Sequence, residues 1–243
     1  MMASILLSRV LGVVREAVIA YIGGAGAEVD AYNIAFQLPE ILNHIVAGGY
    51  LSITFIPILA AHLERGDQAE GWRVLSGVAT VFTSVLVVLT AVAMVYAENL
   101  ITLVAPGTDA RPEVLASATY MTRIILPAQL CFFLGGLFMA VQYTQGRFLI
   151  PALAPLVYNA GIIAGGAVLG PRMGMEGFSW GVLAGAVLGQ LVLQAAGALR
   201  AGMRIRPSWR VGHPDFRRFV LLTLPLVLSL GMTFSMEFFF RFF

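Results

Sequence analysis

Asp30-Ala31-Tyr32-Asn33-Ile34-Ala35-Phe36-Gln37-Leu38-Pro39-Glu40-Ile41-Leu42-Asn43-His44 carries a polar stripe through an apolar helix. Asp30, Asn33, Gln37, Glu40 and His44 recur at steps of three, four, three and four, the spacing of one helical face. Every other residue from Ala31 to Leu42 is apolar or proline. The stripe covers about 21 Å of helix axis at 1.5 Å per residue, most of the hydrocarbon thickness of a bilayer. A charged side chain at the bilayer centre costs about 2.5–3.5 kcal/mol on insertion scales, so it faces a protein-lined or water-filled interior. The stripe therefore points to a hydrophilic cavity between membrane helices, and to a chain that handles something polar inside the membrane.

The composition around this stretch agrees. The chain has 243 residues, 59% hydrophobic and only 12% charged, with a mean hydropathy of +0.86. Soluble domains carry about 25% charged residues. Apolar runs of about 20 residues are too long for buried globular helices and lack the alternation of outer-membrane strands. The fold class is thus an all-α polytopic membrane protein. A net charge of +2 is too small to suggest nucleic acid, and all 15 basic residues besides histidine are arginine. The single cysteine, Cys131, excludes an intrachain disulfide and reads as a small core residue beside Phe132 and Phe133. No cleavable signal peptide is expected, because the start lacks a basic region and the first apolar segment runs on into charge.

About seven transmembrane segments are expected, at roughly 3–22, 30–62, 73–97, 114–142, 149–169, 177–199 and 216–243. In the second, Pro39 predicts a kink and Gly48-Gly49 a weak point. In the fourth, Pro127 predicts an interruption. The fifth and sixth carry Gly161 and Gly165, and Gly181, Gly185 and Gly189. These spacings read as small-residue faces for close helix packing. Positive charge favours the cytoplasm. Grouping Arg65, Arg73, Arg147 and the cluster Arg200, Arg204, Arg206, Arg210, Arg217 and Arg218 on one side leaves Arg111 and Arg172 in loops on the other. This predicts a cytoplasmic amino terminus.

On the first segment, Ser8 and Arg15 share one stripe, and Arg9 and Glu16 share its neighbour. With Gly12 they span an arc of roughly 120°. Arg123 and the Glu237–Arg241 pair are further intramembrane ionisable sites. The plainer alternative for the first two helices is a lock between them, such as Arg15 with Asp30 or Arg9 with Glu40. Sequence signatures of zinc proteases, phosphate-binding loops and serine hydrolases are missing, and His44, His62 and His213 have no metal-ligand spacing. The chain reads as a non-enzyme with no metal or cofactor; the coupling ion is left open.

Ser8-Arg9-Val10-Leu11-Gly12, Arg15-Glu16, Gly24-Ala25-Gly26 and Asp30-Ala31-Tyr32 resemble the amino-terminal signature of the MurJ/MviN family. So do Leu38-Pro39, Phe55-Ile56-Pro57, Ala105-Pro106-Gly107, Thr122-Arg123-Ile124 with Pro127, and the run from Gly146 to Pro155 with Asn159. The resemblance is in order from Ser8 to about Asn159 and mainly one of hydropathy beyond. It implies membership of the multidrug/oligosaccharidyl-lipid/polysaccharide exporter superfamily, with two six-helix lobes around a central cavity. It further implies flipping of lipid II, the undecaprenyl-diphosphate-linked peptidoglycan precursor, across a bacterial inner membrane by alternating access.

On that resemblance residues 1–200 form the amino-terminal six-helix lobe, 201–215 a basic cytoplasmic linker, and 216–243 the first helix of a second, missing lobe. The missing carboxyl-terminal lobe or a second subunit would be the partner, with a lipid-linked diphosphate oligosaccharide as substrate. Arg9, Arg15, Glu16 and Asp30 match charged cavity positions of the family, with the arginines on the diphosphate. Asn33, Gln37, Glu40 and His44 complete the expected substrate-binding set through the stripe. Where the family often has a basic pair, this chain has Asn43-His44, and Gly48 stands where glutamate is frequent. The alternatives are an exporter of another lipid-linked oligosaccharide or solute, an inactive half-lobe needing a partner, and an enzyme acting on a lipid diphosphate.

Overall fold

The computed structural model describes residues 2–24, 26–46, 50–209 and 212–225. Among these there is no strand. The first segment is α1 (Met2–Gly23). The second is divided into α2 (Ala27–Val46) and α3 (Tyr50–Glu64). α2 runs through Pro39 without ending there, and the weak point expected at Gly48-Gly49 lies outside the described residues. α4 (Gln68–Val95) is followed by α5 (Ala97–Val104), a short helix that the apolar-run reading left in a connection.

Pro127 interrupts the fourth segment as expected, separating α6 (Pro112–Ile125) from α7 (Ala128–Thr144). The turn between them keeps its amides bonded: Leu126 N donates to Thr122 O at 2.9 Å and Gln129 N to Leu126 O at 3.1 Å. The proline interrupts the ladder and leaves one long span, Pro112–Thr144.

α8 (Leu149–Met173) and α9 (Met175–Gly185) form a hairpin at Gly174, whose φ of 57° favours glycine. A π-helical segment, Ala186–Leu193, continues into α10 (Gln194–Arg200). Residues 214–225 are again helical. By length and composition, Gln68–Val95, Pro112–Thr144, Leu149–Met173 and Met175–Arg200 are each able to cross a membrane. The protein is a multi-pass membrane protein.

The two glycine stripes face each other. A Cβ on Gly161 would come within 2.5 Å of Gly185 Cα, and one on Gly165 within 2.5 Å of Gly181 Cα. Real Cβ contacts do not reach that distance, so only hydrogen at these positions lets the two backbones touch. α9 and α8 thus make a rigid pair, and α1 packs chiefly on α8.

Two large apolar clusters pack the helices of the lobe. One gathers Ile19, Ala31, Tyr32, Ala35, Met121 and Phe178. The other gathers Phe55, Leu75, Phe133, Leu137 and Phe219, with Phe82 and Phe219 edge to face at 5.4 Å. Through Phe219 the helix at 214–225 is anchored on α3 and α4. Between α7 and the segment that follows α9, the buried Gln142 Nε2 donates to Gln194 Oε1 at 2.6 Å.

The connecting segments sort to two ends. At one end His62 meets Asp215 at 2.9 Å, His213 meets Glu70 at 2.9 Å, and Arg147 donates to the Arg200 carbonyl at 2.7 Å. At the other, Arg111 meets Asp30 at 3.2 Å, and the Gly174 turn approaches Glu28. The arginine-rich connections therefore share one end of the lobe.

Gly181→Val is expected to lower the thermal unfolding midpoint in detergent, with overpacking of about 1–3 kcal/mol or more. Gly12→Ala, whose added Cβ meets nothing within 4 Å, is expected to leave the midpoint in place.

Candidate functional site

α2 has two chemically opposite faces, and the packing separates them. Ala31, Tyr32, Ala35, Leu38 and Leu42 are buried against the lobe. Asp30, Asn33 and Glu40 are exposed, and Gln37, Asn43 and His44 are half-buried. The polar stripe thus lies along the unpacked side, as burial physics requires of groups that want water or a polar ligand. Within it, His44 Nδ1 donates to the Glu40 carbonyl at 2.8 Å.

α1 brings the second set of polar groups. Arg9 and Glu16 are exposed, and Arg15 is half-buried, its side chain 29% exposed. Because α1 rests on α8, Arg15 Nη1 reaches Asn159 Oδ1 at 3.2 Å, across 144 residues of sequence. Asn159 Nδ2 is held in turn by the Pro155 carbonyl at 3.0 Å. The same guanidinium donates from Nε to Glu16 Oε1 at 3.2 Å and forms an ion pair with that carboxylate. Tyr32 and Tyr158 lie within electrostatic reach of Arg15. Arg15 is therefore held at its guanidinium by the Asn159 amide and paired there with an exposed carboxylate.

Asp30 is placed differently from its neighbours on the stripe. It meets Arg111, from the connection before α6, at the end away from the arginine-rich connections. Neither Arg15–Asp30 nor Arg9–Glu40 forms an ion pair among the described residues, so the first two helices are not locked by those charges. Arg123 Nε turns to the Met94 carbonyl at 2.9 Å. Glu237 and Arg241 lie outside the described residues. Asn159 was not singled out as a ligand by periodicity; only its place in the quoted motif marked it. No group of three His, Cys, Asp or Glu among the described residues is placed to hold a metal ion.

Residues 19–239 match the family model described as lipid II flippase MurJ. The chain belongs to the MurJ family. It is 30% identical over 233 residues to the lipid II flippase MurJ of Burkholderia cenocepacia, covering 93% of this chain and 45% of that protein. A probable lipid II flippase MurJ of Synechocystis is also 30% identical, over 240 residues, with 93% and 44% covered. A solved structure, lipid II flippase MurJ in an inward closed conformation, shares the fold with a TM-score of 0.75 at 23% identity. It covers 94% of this chain and 47% of its own. The chain spans about half the length of the MurJ relatives it matches.

The Asp30–Arg111 pair is more than half exposed on both sides, and exposed pairs contribute about 0–1 kcal/mol. Asp30→Asn is accordingly expected to shift stability by less than about 1 kcal/mol. Chemical denaturation in mixed micelles checks this, and a large loss would show that the pair is structural.

Proposed function

We propose that this chain supplies the amino-terminal lobe of a lipid II flippase, and that Arg9 and Arg15 engage the diphosphate of the lipid. One observation carries the reading: in a chain of the MurJ family, Asn159 of α8 holds Arg15 of α1, and α2 leaves its polar face unpacked. A diphosphate cannot cross hydrocarbon with its charge unmatched. A guanidinium replaces its hydration with charge-assisted, often bidentate hydrogen bonds.

Arg15 is the preorganised contact, because Asn159 fixes its direction before ligand arrives. Glu16 serves as the counter-ion of the empty state, and the diphosphate displaces it from the guanidinium. Arg9, exposed and without an ion pair among the described residues, is the second contact. Asn33, Gln37, Glu40 and His44 offer hydrogen bonds to the sugar and peptide portion, while the prenyl tail stays in lipid. Asp30, held by Arg111, lines the far mouth.

Alternating access follows if a second lobe, in the same chain or another, rocks against this one about the site. The positive-inside rule puts the arginine-rich end, and with it the amino terminus, in the cytoplasm of a bacterial cell whose inner membrane the protein spans. Glu16 and Glu40 are the groups to which a coupling cation would bind.

The Asn43-His44 pair supports a second reading within the same class, transport of a different lipid-linked oligosaccharide. Competition between lipid II and other undecaprenyl-diphosphate sugars in reconstituted vesicles separates the two.

Arg15→Ala is expected to abolish flipping in proteoliposomes and to weaken lipid II binding at least tenfold, the loss of a charge-assisted bond of about 1.5–3 kcal/mol. Its unfolding midpoint should stay near that of the parent. Wild-type flipping in the variant would remove Arg15 from the site. Asn159→Ala is expected to weaken binding less, since it removes the holder and leaves the charge.

A further inference from the structure

One feature lies apart from the polar faces of α1 and α2, at the arginine-rich end. A pocket of ≈ 800 Å³ opens between the first turns of α4 and the extended segment 203–209. Trp72, Arg73, Ser76, Arg204, Arg206 and Ser208 line it. We propose that this pocket binds the phosphate headgroup of an anionic phospholipid from the adjoining leaflet.

The segment is built as a strap. Arg206 N donates to Ser76 Oγ at 3.1 Å, and Ser208 N to Thr80 Oγ1 at 3.0 Å. Ser76 and Thr80 are one turn apart on α4, about 6 Å along its axis. Alternate amides of an extended chain are about 6.6 Å apart. The two repeats match, so the strap runs along the helix and its backbone is held there by the two hydroxyls. Arg204, Arg206, Pro207 and Ser208 of the strap line the pocket, while Ile205 and Trp209 expose 37% and 67% of their surface.

The charges in the pocket are unequal. Arg73 is already engaged by Glu70 at 2.5 Å, and Glu70 also meets His213 at 2.9 Å. Arg204 and Arg206 have no carboxylate partner among the described residues. Two unpaired guanidiniums at the mouth of a cavity call for an anion with several oxygens. The first turn of α4, where Gln68 and Ala69 line the pocket and Asp67 makes no side-chain cap, adds its amides to that field.

Exposed Trp209 and Ile205 beside the same arginines argue for a lipid rather than a free phosphate. Tryptophan settles at the headgroup level of a bilayer, with basic side chains meeting anionic heads there. The headgroup would clamp the strap to α4 from the membrane side. This site stands apart from the cavity of α1 and α2, and it holds whatever that cavity carries.

The test is a titration of the purified protein in neutral detergent with dansyl-labelled phosphatidylglycerol. Energy transfer from Trp72 and Trp209 is read in a Trp180→Phe background. Saturable transfer is expected, with dansyl-phosphatidylcholine at least tenfold weaker. Arg204→Gln with Arg206→Gln should weaken binding about 25-fold, about fivefold for each arginine near a charged surface. Arg204→Lys with Arg206→Lys keeps the charge but not the fork, so its binding should fall between those of the parent and the glutamine pair, and Arg172→Gln, at the other end, should change nothing. Equal binding of the zwitterionic lipid, or undiminished binding in the glutamine pair, overturns the proposal. Displacement by inorganic phosphate at concentrations equal to the lipid overturns the lipid and assigns the pocket to a soluble anion. Should the glutamine pair unfold, salt decides on the parent protein: transfer unchanged between low and high salt refutes a charge-held headgroup.

Discussion

Glycine against glycine sets the geometry of this lobe. Hydrogen at Gly161 and Gly165 lets α8 meet Gly185 and Gly181 of α9 backbone to backbone. Lipid tails are as apolar as leucine, so membrane helices gain little from hydrophobic exclusion and depend on such close packing. The contact places α8, and α8 supplies the bed on which α1 lies. From that bed Asn159 reaches Arg15. Arg15 of α1 is thus oriented by a glycine contact elsewhere in the lobe.

The charges of α1 and α2 rest on the same arrangement. Four arginines against four carboxylates give a balanced intramembrane inventory in the sequence. The structure removes several from the ledger: Asp30 goes to Arg111 and Arg123 to a backbone carbonyl. On the open faces of α1 and α2 that leaves Arg9 and Arg15 against Glu16 and Glu40. A balanced set of charges suits a membrane interior, where uncompensated charge is costly. In the reading proposed above, a diphosphate would take the place of Glu16 on the Arg15 guanidinium.

Much of the fold was legible because membranes impose simple periodicities. The step of three and four from Asp30 to His44 marked the face that stays unpacked, and the apolar residues between marked the buried one. Pro127 announced a shift in the helix, since a missing donor and a ring clash act locally. The short α5 was not legible: the apolar run of α4 stops near it, and Ala97–Val104 is too short to signal a span. The π-helical segment at Ala186–Leu193 was likewise silent, because its register depends on the neighbouring helices. The ion-pair partners were also out of reach, and Arg15 chose its sequence neighbour and a distant amide over the carboxylates of α2.

The sequence by itself determined a polytopic all-α membrane chain, the polar face of α2, the two glycine stripes and the segregation of arginine among the connections. Each follows from local spacing, composition or the cost of charge in hydrocarbon. Only the tertiary structure decided that the glycine stripes meet each other, that Asn159 holds Arg15, that Arg111 withdraws Asp30, and that Ser76 and Thr80 lay the 203–209 strap along α4. Apart from the glycine contact, these are contacts across 81 to 144 residues of chain. Which side chains meet at such separations is set by how whole helices pack, and no local pattern carries that information.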